Sequence, residues 1–114
     1  MAKRIAVVIT EDPRETHRPV EALRIALGLS AGDHETTVVL LGPATRLLTE
    51  DTDDVIDVDI LERYRPSFQQ LAVRFVVDDT SVPTALLPGY AVEPRSRQDI
   101  QSLLRAAERT VIFT

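Results

Sequence analysis

The sequence contains no cysteine, and only four of its 114 residues are glycine. Without a thiol the chain cannot form a disulfide, a thiolate metal site, an iron–sulfur cluster or a thiol nucleophile. The glycines stand at positions 28, 32, 42 and 89, so neither GxGxxG nor GxxxxGK[ST], the common phosphate-binding loops, is present. These absences exclude thiol chemistry and nucleotide binding through either loop.

Long apolar runs are also missing, and basic residues are outnumbered. Thirteen Lys and Arg stand against eighteen Asp and Glu, which gives a net charge of −5, the opposite sign from what nucleic acid or an anionic membrane attracts. No run approaches the roughly 20 apolar residues of a membrane span, and residues 1–4 (MAKR) lead into a strand-like segment without a signal peptide's apolar stretch. We therefore expect a cytoplasmic protein that binds neither nucleic acid nor membranes.

The residues that are present predict one domain over residues 1–114, because 44% are hydrophobic and the length suits a single core. Residues 4–10 (RIAVVIT) form an unbroken apolar run, which is typical of a parallel strand covered on both faces. A helix is predicted over residues 17–31, with Thr16 as its N-cap, Pro19 in its first turn and Gly32 as a left-handed C-cap. A second strand at 35–41 completes a βαβ unit.

The second half of the chain continues the alternation. A short helix follows Gly42 and Pro43, and a helix is predicted at 60–71, where Pro66 would kink or split it. Strands are predicted at 73–77, 90–92 and 110–113, with a helix capped by Ser96 before the last strand. This pattern predicts an α/β fold, a three-layer α/β/α sandwich around a five-stranded, mostly parallel sheet.

Ligands of parallel sheets bind beyond the carboxyl ends of the strands, where polar residues follow the first and third predicted strands. The candidate ligand-binding pocket consists of Thr10, Glu11, Asp12, Arg14, His17, Asp78, Asp79, Thr80 and Ser81. A carboxylate that is partly buried there needs a partner, which we expect to be Arg14 or backbone N–H groups at a helix start rather than a bound cation.

Other chemistry is disfavoured by spacing. The acidic residues 50–62 do not form an EF-hand, because Ile56 stands where the loop requires glycine. His17 and His34 are predicted at opposite edges of the sheet, so they cannot share a metal, and Ser81 has no histidine beside it. We therefore predict no metal ligand, no cofactor and no catalytic residue.

Five segments resemble a known family when they are read in order: KRIAVVIT, RPVEALRIALGLSAG, TTVVLLGPAT, AVRFVVDDTSVP and QDIQSLLRAAERTVIFT. Together they resemble the DsrE/DsrF-like family, to which the sulfur-relay subunits TusB, TusC and TusD belong. The resemblance covers nearly the whole chain. It implies a sheet of strand order 4-3-2-1-5, in subunits that form homo-oligomers or assemble with related DsrE-like subunits.

The resemblance also implies a site. Members that carry sulfur have a cysteine at or just after the end of the third strand, where this sequence has Asp78 or Asp79. A carboxylate can neither carry a persulfide nor replace a thiolate nucleophile. Persulfide transfer is therefore excluded, and a cysteine-free subunit without catalytic activity is the function that the resemblance implies.

Three functions stay open on the sequence alone. The first is this non-catalytic oligomeric subunit or partner, and the apolar residues 82–87 (VPTALL) are a candidate surface for self-association. The second is a module that binds a small ligand or a cation through the acidic loops. The third is an enzyme that uses Glu11, Asp12, Asp78 or Asp79 as a general acid or base.

Overall fold

The computed structural model describes residues 3–50, 52–71, 73–80, 82–83 and 85–113. Its elements are β1 Arg4–Ile9, α1 Arg18–Ala31, β2 Glu35–Leu40, a 3₁₀ helix Gly42–Leu48, α2 Val58–Gln70, β3 Arg74–Asp78, β4 Ala91–Arg95, α3 Arg97–Ala106 and β5 Arg109–Phe113. Every strand pair is parallel, and the strand order is β4-β3-β2-β1-β5. The predicted α/β fold and the strand order that the resemblance implied are both confirmed.

The two faces of the sheet are covered unequally. On one face Val7, Val38 and Phe75 pack into a large core with the two longer helices and the 3₁₀ helix. On the other face a smaller cluster joins Val8, Val39 and Val76 to Ile100 of α3. Because one helix of ten residues covers this second face, β5 lies largely outside the packed layer, and Ile112 is 60% exposed.

The ends of α1 differ from the prediction in detail. His17, not Thr16, occupies the N-cap position, although the Thr16 hydroxyl accepts a hydrogen bond from the Arg18 N–H at 3.4 Å. Gly32 is not left-handed, since its φ is −85° and its N–H still bonds to the carbonyls of Gly28 and Leu29. The helix ends at Ala31, as predicted, but the left-handed residue that follows it is Asp33, with a φ of 65°, and not Gly32.

Two prolines lie inside regular elements, one in α2 and one in β4. Pro66 lies inside α2, which continues through it without being split in two. Pro94 lies in β4, which is longer than predicted and forms an edge of the sheet, where a residue without an N–H is tolerated. The predicted Ser96 cap is confirmed, because the Ser96 hydroxyl accepts the Asp99 N–H at 3.1 Å.

The connection from β3 to β4 contains no helix among the residues that the structure describes. Its residues 85–87 run antiparallel to residues 48–50, with the Glu50 N–H bonded to the Ala85 carbonyl at 3.0 Å and the Leu87 N–H to the Leu48 carbonyl at 2.8 Å. Leu86 packs against the large core. The apolar segment 82–87 is therefore used partly inside the chain, and Val82 is its large apolar residue that stays 37% exposed.

Candidate functional site

The candidate residues lie at the carboxyl edge of the sheet in two separate groups. One group follows β1 and the other follows β3, and β2 lies between these strands. In the first group Asp12 and Arg14 bond to each other. In the second group Asp78 bonds to Thr80 and lies close to Arg97. Each group therefore has its own partners.

The loop after β1 is organised around Asp12. Its carboxylate accepts the Arg14 backbone N–H at 2.9 Å and both Nε and Nη2 of the Arg14 side chain at 3.0 and 2.7 Å. Its carbonyl accepts the N–H groups of Glu15 and Thr16. The hydrogen bond from the Arg14 side chain is the main reason that the pKa of Asp12 lies below its ordinary value. Arg14 is thus committed to Asp12.

The remaining members of this group make structural contacts. The Thr10 N–H and hydroxyl both donate to the Phe113 carbonyl, at 3.2 and 3.4 Å, which ties the end of β1 to β5. Glu11 lies 3.8 Å from the Arg18 guanidinium. His17 is exposed at the start of α1.

Asp78, at the end of β3, is held in a closed arrangement. Only 7% of the residue is exposed, and its Oδ1 accepts the Thr80 N–H at 3.0 Å and the Thr80 hydroxyl at 2.8 Å. Its Oδ2 lies 3.5 Å from Nε of Arg97 at the start of α3. The Thr80 N–H contributes most to lowering the pKa of Asp78, followed by the Thr80 hydroxyl. Asp78 is therefore a carboxylate at neutral pH, and its Oδ1 accepts two hydrogen bonds.

The neighbours of Asp78 point away from a shared pocket. Asp79 is exposed, and its backbone N–H donates to the Arg95 carbonyl at 2.9 Å, which extends the pairing of β3 with β4. Thr80 is exposed apart from its bonds to Asp78. Ser81 lies outside the described residues.

Two kinds of partner were predicted for the buried carboxylate, backbone N–H groups and Arg14, and the structure shows one of them. Asp78 does pair with a backbone N–H group, but this is the N–H of Thr80 in the turn after β3 and not one at a helix start, and pairing with Arg14 is wrong. The reason is distance along the chain: Arg14 reaches a carboxylate two residues away in a bidentate contact, whereas Asp78 lies two strands away across the sheet. Arg97, which the sequence analysis did not single out, approaches Asp78 instead.

The acidic stretch contributes no cation site in the part of the chain that the structure describes. Asp54 forms an ion pair with Arg46 at 3.2 Å, and the Ile56 N–H donates to the Pro13 carbonyl, which fastens this stretch to the loop after β1. No group of three or more His, Asp or Glu among the described residues is placed to hold a metal ion. His34 lies at the opposite edge from His17, as predicted, and its Nδ1 accepts the Lys3 N–H at 3.2 Å.

Two cavities lie near the amino ends of the strands, where the sequence analysis placed no site. One, of about 150 Å³, lies between the end of α3 and the sheet and is lined in part by Ala6, Thr37 and Ala107. The other, of about 310 Å³, is lined in part by His34 and Leu71. A usable signal was the small residue Ala6 inside an otherwise bulky buried strand, which leaves space under the helix.

Comparisons with known proteins agree with this architecture. The family model of the DsrE/DsrF-like family matches residues 3–111. Among solved structures, the crystal structure of the ychN protein from E. coli is similar over 99% of this chain and 100% of that chain, with a TM-score of 0.77 and 16% sequence identity. That identity supports a shared fold alone. No protein with a curated description matches the sequence. None of the described helices is long and apolar enough to cross a membrane.

Proposed function

Because the chain belongs to the DsrE/DsrF-like family, we propose that it is a non-catalytic subunit which assembles with copies of itself or with related subunits and transfers no sulfur. The family includes sulfur-relay proteins, so the proposed role is that of a partner in such an assembly. A cytoplasmic location is part of this proposal and rests on the sequence expectation.

The observation that carries the proposal is the state of Asp78. The family resemblance puts the sulfur-bearing cysteine at or just after the end of β3, and this chain has at that place a carboxylate bonded to Thr80 and approached by Arg97. Its Oδ1 is occupied by the two hydrogen bonds from Thr80, and its Oδ2 lies 3.5 Å from the exposed Arg97 side chain. The two hydrogen bonds from Thr80 fix the first turn after β3, so Asp78 stabilises the start of that loop.

The same contacts argue against a general acid or base. A catalytic carboxyl group works best when its pKa lies near the working pH, but the bonds from Thr80 lower the pKa of Asp78. The Arg14 side chain likewise lowers the pKa of Asp12. Both groups stay ionised at neutral pH and are weaker bases than an ordinary aspartate, which supports a structural role for each.

The experiment compares wild type with Asp78→Ala and Asp79→Ala. Each protein is incubated with a persulfide donor and its intact mass is recorded, and its Tm is then measured against a panel of divalent cations and small anions. We expect no stable sulfur adduct and no saturable shift of the Tm. Asp79→Ala is the matched control, because it removes an exposed carboxylate one residue away.

Two results would contradict the proposal. A sulfur adduct on the wild-type chain would show that a group other than a thiol accepts sulfur. A saturable rise of the Tm that Asp78→Ala abolishes and Asp79→Ala retains would show that the end of β3 binds a ligand, and the small-ligand hypothesis would replace this one.

A further inference from the structure

The cavity beneath the end of α3 exists because small side chains meet there. Ala6 lies on the same face of the sheet as Val8, since successive strand residues alternate, and Val8 belongs to the cluster under α3. The end of the helix adds Ala106 and Ala107. About 150 Å³ stays unfilled, and a cavity of that volume holds a molecule the size of benzene, about six non-hydrogen atoms. These alanines form a space for a short aliphatic group.

Three polar side chains lie at the amino end of this cavity. Thr37 of β2 is the Cα partner of Arg74 in β3, and Glu35 lies two residues before Thr37 on the same face of the sheet. All three also line the cavity of about 310 Å³, so the two cavities adjoin at these side chains. Thr37 is buried, Arg74 is half-buried and Glu35 is exposed. The polar groups therefore lead from the cavity out to solvent.

These polar groups are largely without partners. In the part of the chain that the structure describes, neither the Glu35 carboxylate nor the Thr37 hydroxyl takes part in a hydrogen bond or an ion pair. Arg74 donates to Glu93 through Nε, and its two Nη groups donate to no described residue. Glu35 and Arg74 have opposite charges and line the same cavity, but they do not pair with each other. Ligand sites use a few such polar groups to orient a molecule that is otherwise surrounded by apolar walls.

The charges along the cavity favour a ligand that carries both signs. The charged lining residues are Arg4, Arg74 and Glu35. Glu108 lies 3.9 Å from Arg4, and Glu93 bonds to Arg74, so the two arginines do not produce a strongly positive site. A simple anion would face the Glu35 carboxylate, and a simple cation would face the Arg74 guanidinium. A small zwitterion can bond to both groups at once.

We propose that this cavity binds a small α-amino acid with a short aliphatic side chain. The ligand carboxylate accepts from the Nη groups of Arg74, and its ammonium group donates to Glu35 and to the Thr37 hydroxyl. Its side chain lies between Ala6 and Ala106. The proposal does not rest on the proposed function, because this site lies at the amino ends of the strands and the arguments about Asp78 concern the opposite edge.

The test is a titration of the ¹⁵N-labelled protein, followed by NMR, with L-alanine, propionate and ethylamine as probes. Propionate has the carbon skeleton of alanine without the ammonium group, and ethylamine has the ammonium group without the carboxylate. We expect L-alanine to cause saturable shifts of the amide signals of Ala6, Thr37 and Ala107 and to leave those of Asp78 and Thr80 unchanged. We expect the other two probes to bind at least tenfold more weakly.

Two variants separate the Glu35 contact from a general effect of charge. Glu35→Gln removes the carboxylate that lines the cavity. Asp33→Asn removes an exposed carboxylate two residues away that lines neither cavity, and asparagine tolerates the left-handed φ of 65° at that position. We expect Glu35→Gln to weaken binding of L-alanine at least tenfold and Asp33→Asn to leave it within about twofold. The Tm of each variant verifies that it is folded.

Each other outcome overturns a defined part. If no probe causes saturable shifts, or if Glu35→Gln binds L-alanine as wild type does, the proposed site is wrong. If propionate binds as tightly as L-alanine, the cavity accepts anions and the assigned contact with Glu35 is wrong. If the shifts appear at Asp78 and Thr80 instead, the ligand binds at the carboxyl edge, and the proposed function fails together with this site.

Discussion

Aspartate in place of Val8 is expected to destabilise the fold severely at neutral pH. Val8 is 4% exposed and lies between the sheet and α3, in the cluster with Val39, Val76 and Ile100. An aspartate there would bury a charge among apolar side chains without a partner, which costs several kcal/mol. We expect a loss of more than about 4 kcal/mol from a total that is about 5–15 kcal/mol for a typical domain. Circular dichroism and urea unfolding measure the effect.

The control for this substitution is given by strand register. Ile112 is the Cα partner of Val8 on the adjacent strand, so the two side chains share a face of the sheet, but Ile112 is 60% exposed. Ile112→Asp introduces the same charge into solvent, and we expect it to change the free energy of unfolding by less than about 1 kcal/mol when measured on the monomer. Equal stabilities for the two aspartate variants would mean that α3 does not cover this face.

Alanine in place of Phe75 has the second largest expected effect. The Phe75 ring makes edge-to-face contacts with Phe68 of α2, at a centroid distance of 5.6 Å, and with Tyr90, at 5.5 Å. It therefore joins β3, α2 and the segment that leads into β4. Removing a buried phenylalanine ring costs about 3–5 kcal/mol, and we expect that loss in the free energy of unfolding.

Phe75→Leu serves as the graded control, because it keeps most of the apolar volume and loses the two ring contacts. We expect it to cost less than half as much as Phe75→Ala in urea unfolding followed by circular dichroism. A Phe75→Ala protein as stable as wild type would contradict the arrangement of the large core, since this ring is 1% exposed.

Most of the fold could be predicted because its signals are local. Unbroken β-branched runs identify strands buried on both faces, as in β1 and β2, and Ser96 identifies the start of α3 by the chemistry of an N-cap. Errors occurred at the ends of elements, where either of two neighbouring residues can make the same backbone hydrogen bonds. Gly32 is an example, because its N–H still reaches two helical carbonyls, and the left-handed turn fell to Asp33.

The candidate site could be predicted in position but not in its contacts. That Asp78 ends a buried strand follows from its sequence neighbours. Its approach to Arg97 depends on β4 pairing with β3, which sets Asp78 beside Arg95 and brings the start of α3 over the sheet edge. That partner is 19 residues away along the chain, and no spacing rule connects the two residues.

The same limit explains the incorrect partner. The sequence places Arg14 at the carboxyl edge of the sheet, which is right. At that edge, however, the Arg14 guanidinium bonds to the carboxylate nearest along the chain. Asp12 is two residues away and receives three hydrogen bonds from Arg14. Local pairing of this kind costs little backbone entropy, so it prevails over a partner on a distant strand.

We propose that Asp78 supports the structure of the loop after β3 and is neither a reactive nor a ligand-binding group. Because bonds from Thr80 lower the pKa of Asp78 in the folded chain, its stabilising contribution is fully present above the ordinary aspartate pKa of about 3.9. That contribution is lost as the pH falls through the folded value. The most direct test is therefore the Tm of wild type and Asp78→Ala between pH 7 and pH 2.5.

We expect Asp78→Ala to lower the Tm by roughly 4–8 °C at pH 7, and the difference in Tm between the two proteins to narrow as the pH falls below about 4. Residues retained for binding or catalysis often cost stability, so replacing them raises the Tm. An Asp78→Ala protein that is as stable as wild type at pH 7, or more stable, would contradict the claim.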